Sequence, residues 1–291
     1  MRQMITKLQI EPTTRCNYKC VFCTRSGYSR SRIGDMSLES FKEIIHQFLP
    51  DLKYVKVQGM GEPMLCPQLR EMLAYAKGVL LRTEVITNGS VFNKEIAEAI
   101  DILGISMSAG EATAYKKITG SDNFEEVLKN AYEYVGAIPF VWFNFVLTKN
   151  NLDQLEKLVD LALTYAIRYI NVQPAQCWLT SQEKGYKKHK AFSPTEEVLP
   201  QIKRKAFEKG VTLHIVEYEN RISCDFPTTM PFVTWDGYLT PCCLRPNKDI
   251  FNFGNLLTEG LEAILRGEKY QSFVTSLKEG NFPALCKGCT L

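Results

Sequence analysis

Strand-like and helix-like segments alternate six times along this chain before the pattern breaks, and no other feature restricts its fold as much. The strand candidates are Lys7 to Glu11, Tyr54 to Gln58, Arg82 to Thr87, Leu103 to Ser108, Phe140 to Leu147 and Tyr169 to Gln173, each followed by a helical pattern. Two helix entries carry their own signals. Asp122-x-x-Glu125 reads as a capping box, and Ser193-Pro194-Thr195-Glu196 joins an N-cap, a first-turn proline and a returning carboxylate. Such alternation implies a parallel sheet with right-handed crossovers. Six units curl into an open, TIM-like (β/α)6 barrel, whereas a closed eight-unit barrel is too long for 291 residues. After Val216 the alternation stops, a hairpin signal runs from Pro231 to Cys242 around Trp235-Asp236-Gly237, and a mostly helical, cysteine-bearing tail follows. The expected division is an α/β partial barrel over residues 1–216 and a small hairpin-plus-helix domain over residues 217–291.

Ten cysteines are the one departure from ordinary globular composition, in which 45% apolar and 23% charged residues suffice for a core without disulfide staples. The N-terminus lacks an apolar export segment and no run approaches membrane-spanning length, so the chain reads as cytoplasmic. In reducing surroundings clustered cysteines are metal ligands rather than disulfide partners. A net charge of +3 offers no global field to nucleic acid or to a membrane.

Directly after the first strand comes Cys16-x3-Cys20-x2-Cys23. Three thiolates on one loop hold three corners of a cubane cluster and leave the fourth iron open. Structural zinc would want four closed ligands, and a ferredoxin site would supply a fourth cysteine. The loop also sits at the C-terminal end of a strand, where parallel αβ barrels place their chemistry.

This run resembles the defining loop of the radical S-adenosylmethionine (SAM) superfamily, including the aromatic Phe22 before the third cysteine. The resemblance implies a 4Fe-4S cluster whose open iron binds SAM, and a 5′-deoxyadenosyl radical that takes a hydrogen atom from an unactivated C–H bond. Gly59-Met60-Gly61-Glu62-Pro63 resembles the family's Gly-Gly-Glu motif with Met60 in place of a glycine, which makes Gly61 part of the SAM site and Glu62 an acceptor for the SAM ammonium. Thr87-Asn88-Gly89 resembles its Thr-Asn-Gly. Ser106 and Ser108 stand where relatives have a serine and an aspartate, and Asn144 and Gln173 point toward the same mouth. Where the family often has an arginine for the SAM carboxylate this chain has Thr119, with Lys116 and Lys117 nearby.

Cys224, Cys242, Cys286 and Cys289 form a second set in which Gly237 precedes Cys242 by five residues, giving C-x12-G-x4-C ahead of a terminal C-x2-C. The pattern resembles the SPASM extension, called Twitch in its shorter form, and Phe253-Gly254-Asn255-Leu256 with the helix after it resembles the same extension. It implies one auxiliary 4Fe-4S cluster, used for electron transfer; by count alone four cysteines also suit tetrahedral zinc. Cys66 and Cys177 remain, together with Cys243, which adjoins a ligand candidate and is a candidate hydrogen donor to a substrate radical. The stretch Pro174 to Phe192, with Trp178, Tyr186, Lys187, Lys188, His189 and Lys190, reads as a solvated basic loop or a lid. Arg25, Arg30, Arg32 and Asp35 follow the first cysteines and are candidates to face the same cavity.

The resemblance implies hydrogen abstraction from a hydroxyl- or amine-bearing carbon, followed by oxidation or quenching, as in 2-deoxy-scyllo-inosamine dehydrogenase or aminoglycoside epimerases. The substrate is then a carbohydrate or aminocyclitol-type small molecule, and the electron donor a flavodoxin or ferredoxin. The alternatives are a maturase of a ribosomally made peptide and a zinc-bearing binding protein on a decayed barrel.

Overall fold

The structure is a computed structural model that describes residues 4–23, 25, 33–175, 198–216 and 223–286. Its elements begin with β1 (Lys7–Ile10), α1 (Leu38–Phe48), β2 (Tyr54–Val57), a 3-10 turn (Pro63–Leu65), α2 (Leu69–Gly78) and β3 (Arg82–Thr87). There follow α3 (Lys94–Ala97), β4 (Ile102–Ser106), α4 (Ala112–Thr119), α5 (Phe124–Ala137), β5 (Phe140–Leu147), α6 (Gln154–Thr164), β6 (Tyr169–Pro174), α7 (Val198–Glu208) and β7 (Thr212–Ile215). The tail holds α8 (Phe226–Thr229), β8 (Phe232–Val233), β9 (Tyr238–Thr240), β10 (Gly254–Asn255), α9 (Leu261–Arg266) and α10 (Glu268–Lys278).

Two compact units are formed from interleaved pieces of chain. The first comprises Met1–Arg15, Tyr28–Val85 and Tyr218–Leu291. Its strands lie in the order β10-β9-β8-β1-β2-β3. β1 is parallel to β2 on one side and to β8 on the other, while β8–β9 and β9–β10 are antiparallel, so the C-terminal hairpin extends the sheet from β1. Gly237 turns that hairpin with φ +90, where a Cβ would also meet the Leu257 side chain at 2.8 Å. α1 is capped by Ser37, whose hydroxyl accepts the Ser40 N–H at 3.0 Å, and buries Phe41, Ile44, Ile45 and Phe48 at helical spacing.

The second unit comprises Cys16–Gly27 and Ile86–Glu217, with β4-β5-β6-β7 all parallel. β7 is a strand beyond the six expected; Val211 to Val216 alternates over too few residues to stand out by periodicity. A second correction concerns Asp122-x-x-Glu125. The cap of α5 is Asn123, which makes no side-chain cap bond because its Oδ1 accepts from the Tyr18 and Ser121 hydroxyls, and Asp122 pairs with Lys116 at 3.3 Å. The Ser193 cap signal lies outside the described residues.

Candidate iron–sulfur and SAM site

The loop that leaves β1 is held by two sets of bonds, one in each unit. In the first unit Thr13 donates to Asp35 Oδ1 at 2.6 Å, Arg15 Nε pairs with Asp35 Oδ2 at 3.0 Å, and the Glu62 N–H donates to the Arg15 carbonyl at 2.7 Å. A Cβ on Gly61 would stand 2.3 Å from the Thr13 carbonyl oxygen, so glycine is what lets the two motif loops touch. Glu62 is 2% exposed, and its Oε1 accepts the Met64 N–H at 3.0 Å, capping the 3-10 turn.

In the second unit the Lys19 and Val21 N–H groups donate to the carbonyls of Thr119 and Ile118 at 3.0 and 2.9 Å, which clamps the cysteine run to the end of α4. Arg25 donates to the Cys16 and Tyr18 carbonyls at 3.3 and 3.1 Å. Below the run, Tyr115 donates to the Tyr18 hydroxyl at 2.9 Å and Tyr18 to Asn123 at 2.8 Å. Asn88 donates to Asn17 at 2.9 Å while its Oδ1 accepts the Ser90 N–H, so the Thr-Asn-Gly turn is tied to the residue after Cys16. Phe22 lies in the turn just before Cys23.

The thiols crowd one another. Cys20 is pushed up to about 12, first by burial and then by the charges of Cys23 and Cys16; Cys23 is raised by burial against the opposing pull of Arg25. Two thiols that resist ionisation alone, Cys20 and Cys23, suit a cationic cluster, because bound metal deprotonates its thiol ligands outright. A cubane gives each thiolate its own iron and needs no convergence on a point; among the described residues no three His, Cys, Asp or Glu side chains converge on a single ion.

Of the other SAM candidates, Ser108 is buried and its hydroxyl accepts the Val146 N–H at 3.1 Å, and Asn144 accepts from Asn171 at 3.2 Å. Ser106 is half-buried and Gln173 exposed, on β4 and β6. Thr119 is turned inward, donating to the Tyr115 carbonyl at 2.8 Å.

In the second cysteine set Cys242 follows β9, Cys224 precedes α8, and Cys286 ends a 3-10 turn, Ala284–Cys286. Arg245, 9% exposed, links two of these places. Its N–H donates to the Cys242 carbonyl at 2.9 Å, its Nη1 to the Leu244 carbonyl at 2.8 Å and its Nε to the Leu285 carbonyl at 2.6 Å. Tyr270 donates to the Pro227 carbonyl at 3.0 Å and fastens α8 to α10. Cys289, Cys177, Arg30, Arg32 and the basic stretch with Trp178, Tyr186 and Lys187 to Lys190 lie outside the described residues.

Sequence reading passed over a further group. Glu11 is buried and accepts the Met60 N–H at 2.8 Å and the Trp235 N–H at 3.4 Å; burial pushes its carboxyl up to about 7. On β2 and β3, Lys56 Nζ lies 3.2 Å from Glu84 Oε1, and the Tyr54 hydroxyl donates to Glu84 Oε2. The available signal was polar alternation, Lys7-x-Gln9-x-Glu11 and Tyr54-x-Lys56-x-Gln58, in parallel strands that ordinarily read as continuous apolar runs.

Two thiol sets on one mostly parallel α/β scaffold define an iron–sulfur protein of the partial-barrel kind. The chain belongs to the radical SAM superfamily, whose sequence profile matches residues 10–162; residues 224–290 match SPASM, an iron-sulfur cluster-binding domain. SAM and iron–sulfur clusters in core and SPASM domain are accordingly its cofactors, and the zinc reading is set aside. A curated relative, a probable GTP 3′,8-cyclase of Methanococcus maripaludis, is 25% identical over 89% of this chain and 91% of its own. Among solved structures, Streptococcus suis SuiB bound to the precursor peptide SuiA superposes with a TM-score of 0.75 at 15% identity, covering 98% of this chain and 76% of SuiB. BtrN in complex with AdoMet and 2-DOIA gives 0.57 at 17%, covering 96% and 89%. These likenesses are of fold, the partial barrel with a small C-terminal hairpin domain. Proteins of this fold bind peptide or small-molecule substrates. Among the described residues no helix is long and apolar enough to cross a membrane.

Proposed function

We propose that this protein is a radical SAM oxidoreductase that removes a hydrogen atom from a hydroxyl- or amine-bearing carbon of a carbohydrate or aminocyclitol-type molecule and completes a two-electron oxidation. In this reading Cys16, Cys20 and Cys23 hold the SAM-binding cluster. Cys224, Cys242, Cys286 and Cys289 hold the auxiliary one, and a flavodoxin or ferredoxin supplies reducing electrons. Gly61 and Glu62 of the first unit are SAM contacts in this reading, and so are Phe22, Asn88, Ser106, Ser108, Asn144 and Gln173 of the second. When bound, these groups supply a hydrogen-abstracting radical at one end and an electron acceptor at the other.

The observation that carries the reading is the placement of the SPASM hairpin. β8 pairs directly with β1, and Cys243, next to Cys242, lies within electrostatic reach of Lys56 on β2. In this reading Cys242 ends a hairpin that extends the sheet from β1, and the auxiliary cluster it helps to hold serves the substrate. A thiol there has two possible uses. Epimerisation needs a hydrogen atom delivered to the substrate radical, and Cys243 is the donor candidate; oxidation needs only the cluster, with Cys243 packing beside it. We assign oxidation. Assaying Cys243→Ala in deuterated water with aminocyclitol substrates tests this: retained turnover without deuterium at carbon supports oxidation, whereas a parent enzyme that gains one deuterium and a variant that cannot makes Cys243 the donor. Modification of a ribosomal peptide instead of any aminocyclitol overturns the substrate class.

A further inference from the structure

We propose that Gln9, Lys56 and Glu84, with Tyr54 beside them, form a substrate subsite that holds a hydroxyl or amine group and takes up the proton that group loses. The proposal rests on the oxidative reading above and names the residues that serve it.

Strand register puts these side chains together. Gln9 pairs with Lys56 across β1–β2, and Lys56 with Glu84 across β2–β3, so the three stand in one row on one face of the sheet. The other face of the same strands is apolar and closed: Leu8, Ile10, Val55, Val57 and Val85 are all 0% exposed. The polar row is therefore on the face of these strands opposite that apolar layer. Within it the Lys56–Glu84 ion pair is 3.2 Å long, Tyr54 donates to the other Glu84 oxygen, and Gln58 donates to Gln9. Cys243 lies near Lys56, which brings the auxiliary-cluster loop to the same row.

Burying this pair is costly where two apolar side chains would pack at lower free energy. The strain shows in the titration of both partners. Burial lowers Lys56, and it raises Glu84 to about 7 against the opposing charge of Lys7. A carboxyl raised to about 7 and held between a lysine and a phenol is suited to proton transfer. The row also defines a ligand. Its charges cancel, and amides, phenol, ammonium and carboxylate alternate donors with acceptors, which matches hydroxyl and amine groups that are both at once. A triphosphate would require a surplus of cations.

With SAM and both clusters bound, oxidation to a C=O or C=N bond would remove a C–H hydrogen atom, which the SAM-derived radical would supply the means to take, an O–H or N–H proton, which the Glu84 carboxylate would accept, and one electron, for which the auxiliary cluster would supply the acceptor.

The test is isothermal titration of anaerobically reconstituted, SAM-loaded enzyme with 2-deoxystreptamine, GTP and a cysteine-containing peptide. The expected result is that 2-deoxystreptamine binds, and that Lys56→Met and Glu84→Gln each weaken it at least tenfold while SAM affinity and iron content stay at parent values. If either variant misfolds, K56M/E84L, which removes both charges together, carries the comparison. Equal affinity in parent and variants for whichever probe binds overturns the subsite. Binding of GTP or peptide alone overturns the oxidative reading, and silence from all three overturns both.

Discussion

At the scale of single residues the site is built on buried carboxylates that have been given specific partners, and Glu11 shows the thermodynamic consequence most clearly. Its carboxyl accepts two backbone N–H bonds from loops distant in sequence, Met60 and Trp235, with Asp236 raising and Lys248 lowering its affinity for the proton. Burial outweighs these bonds and lifts it from the ordinary 4.5 to about 7. The folded chain therefore keeps a proton that the unfolded chain releases, so this contribution to stability is complete below about pH 4.5 and is lost as pH rises through about 7. At 1.36 kcal/mol per unit, the span amounts to roughly 3 kcal/mol. Glu84 is displaced in the same direction over the same window. Glu11→Gln keeps an acceptor for one N–H and removes the titration. Anaerobic thermal melts between pH 5 and 8 are expected to show a midpoint that falls with pH in the parent and falls less in the variant. Parallel curves would mean that Glu11 titrates alike in both states.

At the scale of elements, local rules found what is local. The six strands, the glycine that turns the hairpin and the Cys16-Cys20-Cys23 run all declare themselves within a dozen residues of sequence. Long-range contacts did not, and they decide how the site is held. Nothing local marks Gln9, Lys56 and Glu84 as neighbours, because register joins them across three strands. Asp122 obeyed the capping rule in spacing yet lost the cap to Asn123, whose amide oxygen was needed by Tyr18, more than a hundred residues away in sequence. Arg245 is the sharpest case. Arginines mostly lie at the surface, but this guanidinium is buried and joins the turn after Cys242 to the carbonyl of Leu285, the residue before Cys286. A planar fork can serve two carbonyls at fixed angles, which a lysine ammonium does less well. Arg245→Gln is therefore expected to release the Cys286 turn and cost most of the roughly four irons of an auxiliary cubane, with Arg245→Lys intermediate. Iron analysis together with the midpoint potential from EPR-monitored titration checks this. Parent values of both in Arg245→Gln would reduce the residue to a packing role.

For the whole molecule, the decisive feature is that the described members of the two thiol sets belong to different compact units of one chain, Cys16, Cys20 and Cys23 to one and Cys224, Cys242 and Cys286 to the other. Each set is held by its own contacts: the first by the end of α4 and by Arg25, the second by Arg245 and by the α8–α10 packing. Loss of one cluster should then leave the scaffold of the other standing. Anaerobically reconstituted parent protein is expected to carry about eight irons, the amount two cubanes require. Replacing Cys16, Cys20 and Cys23 together by alanine should leave about four irons and abolish SAM cleavage, while replacing Cys224, Cys242 and Cys286 should leave about four and retain reductive SAM cleavage without substrate turnover. The asymmetry carries the argument, since equal iron loss with unequal loss of SAM chemistry separates a cluster that opens SAM from one that receives the substrate's electron. Total iron loss in either variant would show instead that the two sets fold as one site, and zinc in place of four irons in the parent would remove the electron acceptor on which the proposed oxidation depends.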